Sequence, residues 1–252
     1  MHKLAGFLLP YLRRLPIKNT LKENILTFAN HKKYFSIDEL KNHFKRLKIP
    51  YTDESVKKYL YLFRKENQIY DAGRGWYSTL NNEFLLDKEP VESILHTIAD
   101  EFPLLSFAVW STAQIKNYFH HMPASFVTFI YSGYDDLPVL YQSLINQYNN
   151  IYLNPREFEI KKSFVIQEST FVLRPSITEE PAQEHLAFIE KILVDLYLEM
   201  KRIKLISGAE YDRIFKNILS DSRINIARLL RYAKRREVRD HIKEKYPLTA
   251  DL

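Results

Sequence analysis

The stretch TDESVKKYLYLFRKENQIYDAGRGWYST, residues 52–79, contains the clearest pattern in the chain. Thr52 is a favoured N-cap residue, and the spacing predicts a helix over 53–67. At 100° per residue its apolar face gathers Val56, Tyr59, Leu60 and Phe63. The opposite arc is cationic with one tyrosine, and comprises Lys57, Lys58, Tyr61, Arg64 and Lys65. Such a face suits a DNA major groove, because Lys and Arg meet phosphates while Arg or Tyr reach base edges.

A β-hairpin is predicted directly after this helix. Residues 68–71 and 76–79 are short runs rich in Ile, Tyr and Trp, and the sequence AGRG at 72–75 joins them. Its glycines can adopt the positive φ that a tight turn requires. The turn places Arg74 at the hairpin tip, where we expect it to contact the DNA backbone or the minor groove.

Two further helices are predicted upstream, over residues 19–30 and 37–47. Asn19 or Thr20 can cap the first, and Ser36 with Glu39 forms a capping-box pattern for the second. Three short helices, the third basic, followed by a two-stranded wing indicate a winged helix-turn-helix domain over residues 19–80. Two alternatives stay open: winged helices also bind proteins, and a basic helix face is often merely solvated.

Charge is segregated along the 252 residues. Residues 1–88 carry 17 Lys/Arg against 9 Asp/Glu, residues 89–200 carry 6 against 15, and residues 201–252 carry 14 against 7. The basic ends indicate a polyanionic partner. The absence of cysteine fits a cytoplasmic protein and excludes disulfides and thiol catalysis. No apolar run is long enough to span a membrane. Residues 1–18 are interpreted as an arm rather than a secretory signal.

The remainder predicts a linker over 81–90 and a mixed α/β domain over 91–252. Strands are predicted at 105–110, 125–131, 151–153, 163–167 and 170–173, and helices at 91–101, 111–120, 139–148, 182–205, 209–219 and 224–243. The fold class is therefore α+β: an N-terminal winged helix-turn-helix, an α/β domain with its sheet covered by helices, and a basic helical tail.

Two of these helices carry regular patterns. An apolar seam runs along 182–205 and comprises Leu186, Ile189, Leu193, Leu196, Met200 and Ile203. It predicts a core helix, with an interface to another chain as the alternative. In 224–243 one arc gathers Arg228, Arg231, Arg235 and Arg239. These are candidate contacts for an anion, a nucleic acid or an acidic surface, including this chain's own middle segment; a solubilising face is the alternative.

The motifs of most enzyme classes are missing. Five glycines form no phosphate-binding loop or nucleophile elbow, and the eight histidines form no HExxH motif. We therefore expect no catalytic residue, no cofactor and no metal site. The alternative is a Mg²⁺-dependent nuclease-like or nucleotidyltransferase-related enzyme, in which Asp135 and Asp136 act with Glu159 and Lys161. A third hypothesis is a protein-interaction scaffold.

Three stretches resemble the AbiEi-type antitoxins of bacterial type IV toxin–antitoxin systems. They are GRGWY at 73–77, similar to that family's R-G-x-Y wing, VWST at 109–112, and IEKILVDL at 189–196, similar to its E-x-x-L-x-D segment, with RYAKRR at 231–236 downstream. The resemblance implies a cytoplasmic DNA-binding protein that represses its own promoter and counters a nucleotidyltransferase-type toxin. It assigns no catalytic residue. Glu190 and Asp195, five positions apart, do not share a helix face and are equally consistent with surface groups.

Overall fold

The computed structural model describes residues 20–246 and 248, and the chain has a mixed α+β fold. The N-terminal unit contains three helices and a three-stranded antiparallel sheet. The helices are α1 (Leu21–Asn30), α2 (Ile37–Leu47) and α3 (Asp53–Lys65), and the strands are β1 (Tyr34–Ser36), β2 (Tyr70–Asp71) and β3 (Trp76–Ser78), in the order β1-β3-β2. The sequence did not predict β1. The expected arm at 1–18 and the alternative cap Asn19 lie outside the described residues.

Local capping explains where these helices begin. Thr20 and Glu23 form a reciprocal capping box at α1, and Thr52 and Ser55 form one at α3. At α2 the expected box is only half formed. Ser36 Oγ accepts from the backbone N–H of Glu39 at 3.1 Å, but the Glu39 carboxylate turns to Lys32 at 3.0 Å instead.

The three helices enclose one small apolar core. Leu40 and Phe44 of α2 pack with Leu60 and Phe63 of α3, and Phe35 of β1 closes the centre. Each fully buried side chain of this size stabilises the unit by roughly 1.5–3 kcal/mol. This packing fixes which face of α3 points outward.

A six-stranded mixed sheet forms the centre of the second unit. Its strands are β4 (Phe107–Ser111), β5 (Val127–Ser132), β6 (Ile151–Leu153), β7 (Thr170–Pro175), β8 (Ala182–Gln183) and β9 (Leu186–Ala187), in the order β6-β7-β5-β4-β9-β8. The pairs β5–β7, β6–β7 and β4–β9 are parallel, and β4–β5 and β8–β9 are antiparallel.

Helices cover both faces of this sheet. The helices of the second unit are α4 (Glu89–Glu101), α5 (Leu137–Leu144), α6 (Glu157–Ser163), α7 (Ile189–Arg202), α8 (Gly208–Asp221), α9 (Ile226–Arg235) and α10 (Arg239–Lys245). Apolar residues of α4 and α5 pack with Ile130 and Leu173 on one face, and those of α7, α8 and α9 pack with Phe129 and Val172 on the other. Among the described residues, every helix is too short or too polar to traverse a lipid bilayer.

Several predicted elements differ from the observed ones. The predicted helix 182–205 begins only at Ile189, because 182–187 forms the β8–β9 hairpin, and Leu186 pairs with Val109 rather than joining the seam. Glu184 and His185, with φ of 49° and 63°, form its turn. The predicted strand 163–167 is absent because the chain leaves α6 there without pairing. The predicted helix at 111–120 is a 3₁₀ helix over Thr112–Tyr118.

The predicted C-terminal helix 224–243 is also interrupted. Glu237 has a φ of 59°, which a helix cannot contain, and the chain divides there into α9 and α10. The α9 helix therefore ends at Arg235, and Arg239 belongs to a different helix from the other three candidate arginines.

The predicted linker 81–90 is held against the second unit. The Arg223 N–H donates to Asn82 O at 2.7 Å, and the Phe84 N–H donates to Arg223 O at 3.0 Å. Helix α4 already begins at Glu89, two residues before its predicted start. A second contact joins the units at Tyr34, whose hydroxyl donates to Ser222 O at 2.7 Å and accepts from the Ile224 N–H at 3.0 Å. These bonds give the N-terminal unit a defined orientation.

Candidate nucleic-acid interface

Helix α3 separates its apolar and cationic residues as the sequence predicts. Val56, Leu60 and Phe63 are completely buried. The five predicted contact residues of α3 are all exposed: Lys57, Lys58, Tyr61, Arg64 and Lys65. Tyr61 has 63% of its surface accessible, which is high for a tyrosine and leaves its ring available to a partner. The second unit does not cover this face.

The cations of α3 are scarcely neutralised by their surroundings. Arg64 lies 3.8 Å from Asp71, with both side chains about half exposed, so water screens the pair. Asp53, in the first turn, pairs with Lys41 of α2 at 2.9 Å. The hydrogen bond from Lys41 lowers the pKa of Asp53. In the part of the chain that the structure describes, Lys57, Lys58 and Lys65 form no ion pair. The face is therefore strongly positive.

The hairpin after α3 presents Arg74 at an exposed tip. The Trp76 N–H donates to Gly73 O at 2.8 Å and closes the turn. Gly73 and Gly75 have φ of 98° and 77°, a region that disfavours residues with a Cβ. Arg74 between them is exposed, as the sequence predicts.

The same hairpin packs against the start of α9. A Cβ on Gly73 would lie 2.1 Å from Asn225 Oδ1 and 2.7 Å from Ala227 Cβ, so any other residue would displace these side chains or the hairpin. The Ala227 N–H also donates to Ala72 O at 3.4 Å. Gly73 thus serves both the turn and the contact between the units.

Sequence reasoning missed a buried charge network on α7. The Lys191 ammonium is fully buried and lies 2.7 Å from Asp195 Oδ2, 3.0 Å from Glu180 Oε2 and 3.0 Å from Tyr232 Oη. It also lies 3.5 Å from the centre of the Tyr131 ring. All three N–H groups have an acceptor, which burial of an ammonium requires. Burial raises the pKa of Glu180 even though Lys191 opposes the shift.

A second buried pair continues the network along α7. The Arg174 guanidinium donates to both Glu199 oxygens, at 3.1 and 2.6 Å, and also to Asn154 Oδ1 and Pro155 O at 3.1 Å. Bidentate pairing of this kind fixes β7 against α7. The sequence did not indicate this network, because charge alone does not show which partners the fold supplies.

A family model places the chain among known sequences. It matches residues 55–249, which extend from the first turn of α3 through α10. The chain belongs to the DUF6577 family, a family of unknown function. No curated protein matches the sequence. The family assignment covers most of α3, the hairpin and the described part of the second unit, and assigns an activity to none of them.

The four candidate arginines of this DUF6577 protein do not form one exposed face, because three of them contact acidic residues. Arg228 pairs with Glu190 at 3.3 Å, Arg235 pairs with Glu179, and Arg239 contacts Asp240 in α10. Only Arg231 is exposed with no acidic partner among the described residues. The prediction of a single four-arginine face is therefore wrong, because α9 ends at Arg235. Two arginines instead bind the chain's own middle segment, one of the alternatives considered.

Glu190 and Asp195 are not surface groups, so that interpretation is wrong. Asp195 is fully buried, and its carboxylate accepts from Lys191 and from Tyr232 Oη at 2.9 Å. Glu190 accepts from the Asn225 N–H at 2.6 Å, beside the hairpin contact. Both carboxylates contact α9, Glu190 through Arg228 and Asp195 through Tyr232. Burial raises the pKa of Glu190 although Arg228 opposes the shift.

Residues of the nuclease-like alternative have other structural partners. Glu159 Oε2 accepts from the Arg156 N–H at 2.7 Å, and Lys161 pairs with Glu157 at 2.6 Å. Within 20–246 and 248, no group of three or more His, Asp or Glu side chains is arranged to hold a metal ion. Asp135, Asp136 and Glu159 therefore do not form such a group.

Proposed function

We propose that this protein is a sequence-specific binder of double-stranded DNA that represses its own promoter. The α1–α3 helices with the β1-β3-β2 sheet match the element order of a winged helix-turn-helix, which is the N-terminal domain that we propose over residues 19–80. In that arrangement the third helix enters the major groove. The hairpin, with Arg74 at its tip, contacts the backbone or the adjacent minor groove.

The exposed cationic face of α3 is the observation that carries this proposal. A protein–DNA contact gains free energy when Lys and Arg displace counterions condensed on phosphates, and that gain needs cations free of internal partners. Lys57, Lys58 and Lys65 meet this condition. The 13-residue helix is about 20 Å long and roughly 10–12 Å across with its side chains, so it fits a major groove about 12 Å wide.

Tyr61 and Arg64 are the residues that we expect to read bases. Tyr61 is exposed on the cationic face, and Arg64 is held only by the solvent-screened pair with Asp71. Arginine can bind guanine through two hydrogen bonds, whereas lysine to phosphate carries no sequence information. Arg64→Ala should therefore relax the sequence preference, and Lys57→Ala should weaken binding to all sequences alike.

Binding to the DNA upstream of the protein's own gene tests the proposal. The triple variant Lys57→Ala, Arg64→Ala, Lys65→Ala removes three exposed cations from α3. The matched control, Lys161→Ala, Lys162→Ala, Lys204→Ala, removes three exposed cations from the second unit. The α3 variant should lose binding at moderate salt. At low salt, where residual binding can be measured, the slope of log K against log salt should be less steep by about 2.7. Equal binding by the two triple variants would refute the assignment.

The role in the cell that we propose is that of an antitoxin. Its support is the resemblance of residues 73–77, 109–112 and 189–196 to AbiEi-type antitoxins, which implies that the second unit counters a nucleotidyltransferase-type toxin. The test is growth of cells that express such a toxin from the same operon. The full chain should restore growth, and the α3 triple variant should restore it when expressed from an unrelated promoter. Continued growth arrest with the full chain would refute the antitoxin role.

A further inference from the structure

We infer that the outward face of α9, formed by Arg231 and Lys234, is a second DNA-backbone contact that extends the interface beyond the hairpin. The inference rests on the DNA binding proposed above and adds to it a part of the second unit. In this proposal, the contact between the hairpin and α9 holds the cations of α9 beside the DNA that α3 binds.

An unbroken series of contacts leads from α3 to α9. Arg64 of α3 lies 3.8 Å from Asp71, and Asp71 Oδ2 accepts from the Gly73 N–H at 3.3 Å. Gly73 in turn packs against Asn225 and Ala227 at the start of α9. The exposed surface of α9 therefore begins where the hairpin ends.

Pairing within the chain leaves two of the cations of α9 available. Residues 226–236 contain five cations and no acid. Three of the cations are bound to buried or neighbouring acids, Arg228 to Glu190, Arg235 to Glu179 and Arg236 to Asp195. Arg231 and Lys234 are exposed, and neither forms an ion pair among the described residues. They are the cations of α9 whose charge is available to another molecule.

These two cations lie on the stripe that starts at the hairpin contact. Ala227, Arg231 and Lys234 follow one another at spacings of four and three residues, so they share one helix face. At 1.5 Å per residue, Arg231 is about 6 Å and Lys234 about 10 Å along the helix from Ala227. Helical side chains lean toward the N-terminus, which directs both cations back toward the hairpin.

Double-stranded DNA is the polyanion that fits this arrangement. Base pairs rise about 3.4 Å each, so a surface extended by roughly 10 Å follows two or three further phosphates of one strand. The cations form an open line rather than a pocket, which suits a continuous backbone and not a small anion. The α3 face supplies the same kind of charge, and the hairpin contacts both helices through Asp71 and Gly73, so we propose that one duplex contacts both.

The test compares two double variants of the full chain on a duplex of roughly three helical turns from its own upstream region. One is Arg231→Gln with Lys234→Gln. The control is Lys161→Gln with Lys162→Gln, which removes the same charge from α6. That helix follows edge strand β6, at the opposite end of the sheet from the β8–β9 hairpin. Fluorescence anisotropy gives Kd for both variants across a salt series.

The α9 variant should bind at least about tenfold more weakly at 0.1 M salt, and its log–log salt slope should fall by about 1.8 while the control keeps the wild-type slope. A wild-type slope in the α9 variant, with binding still lost in the α3 triple variant, would overturn this inference and leave the proposed function standing; it would mark α9 as a solvated face. Absence of binding by the wild-type chain would overturn both.

Discussion

Replacing Gly73 with alanine should disrupt the contact between the hairpin and the start of α9. The structure indicates by how much this lowers the free energy of unfolding. The new Cβ would meet Asn225 Oδ1 at 2.1 Å and Ala227 Cβ at 2.7 Å, both far inside van der Waals contact. The contacted atom of Asn225 belongs to its side chain, which can adopt another rotamer. However, its Oδ1 caps α9 by accepting from the Arg228 N–H at 2.9 Å, and Ala227 Cβ is fixed on the helix.

Three contributions set the magnitude. An alanine at a φ of 98° costs about 1–2 kcal/mol in backbone strain. Loss of the Asn225 cap costs about 1 kcal/mol. Displacement of the hairpin from Ala227 is an overpacking effect of about 1–3 kcal/mol. Gly73→Ala should therefore lower the free energy of unfolding by roughly 3–6 kcal/mol.

Gly75→Ala is the matched control. Gly75 lies in the same turn with a φ of 77°, but a Cβ there meets nothing within 4 Å. It should therefore cost only the backbone strain, about 1–2 kcal/mol. Urea unfolding can be followed by tryptophan fluorescence, because Trp76 lies in the hairpin where it packs against the core of the second unit, so its fluorescence reports on the contact between the units. Trp76 lies in β3, whereas Trp110 lies in the core of the second unit.

Equal destabilisation by the two alanines would refute this reasoning, since it would show that Asn225 and Ala227 do not confine residue 73. A further outcome checks the location of the effect. With Trp110→Phe as the background, Trp76 fluorescence should report an earlier transition in Gly73→Ala than in Gly75→Ala. Coincident transitions in that background would contradict the proposed contact between the hairpin and α9.

Three further changes test the buried contacts. Tyr34→Phe should lower the free energy of unfolding by about 1–3 kcal/mol, because it removes both hydrogen bonds that join Tyr34 to 222–224. It should also speed proteolysis within 81–88, and unchanged proteolysis would contradict this. Asp195→Ala should lower the free energy of unfolding by about 3–5 kcal/mol, since it removes the carboxylate that Lys191 and Arg236 share and leaves Lys191 with the Glu180 carboxylate alone. A loss below about 1 kcal/mol in urea unfolding would refute the importance of the network. Burial raises the pKa of Glu190, so its stabilising contribution is present at low pH and is lost as pH rises above the unfolded value of about 4.5. Glu190→Gln should therefore become more stable relative to wild type as pH rises above about 4.5, and a stability difference that decreases with pH would contradict this sign.

The elements that the sequence predicted well are those that local chemistry determines. Thr20 and Thr52 cap the helices that follow them, and the periodicity of Val56, Leu60 and Phe63 identifies the buried face of α3. The glycines at 73 and 75 identify the hairpin turn. Caps, apolar spacing and positive φ act within a few residues, so a single sequence contains enough information to place them.

The predictions that were wrong concern elements and residues whose structure depends on partners distant in the chain. Residues 182–187 form a hairpin because β9 pairs with β4, and Leu186 also happens to fit the spacing of α7. Glu190 and Asp195 were equally consistent with surface groups because their partners, Arg228 and Tyr232, lie on a separate element. No local pattern reports such pairing. The acids at 190, 195 and 199, which lie between the apolar positions of α7, are the signal that would have raised the question.

Charge segregation in the sequence acquires a physical meaning once these pairs are known. The acidic middle segment supplies Glu179, Glu190 and Asp195, and these carboxylates bind arginines of α9. Most of the excess charge of the α9 segment is therefore balanced inside the second unit. The α3 face obtains less balance of this kind, since the ion pair that its five candidate contact residues form among the described residues is the exposed Arg64–Asp71 pair. Among the described residues, α3, the hairpin tip and two residues of α9 thus keep exposed cations outside these pairs, and a polyanion gains the most binding free energy by contacting all three together.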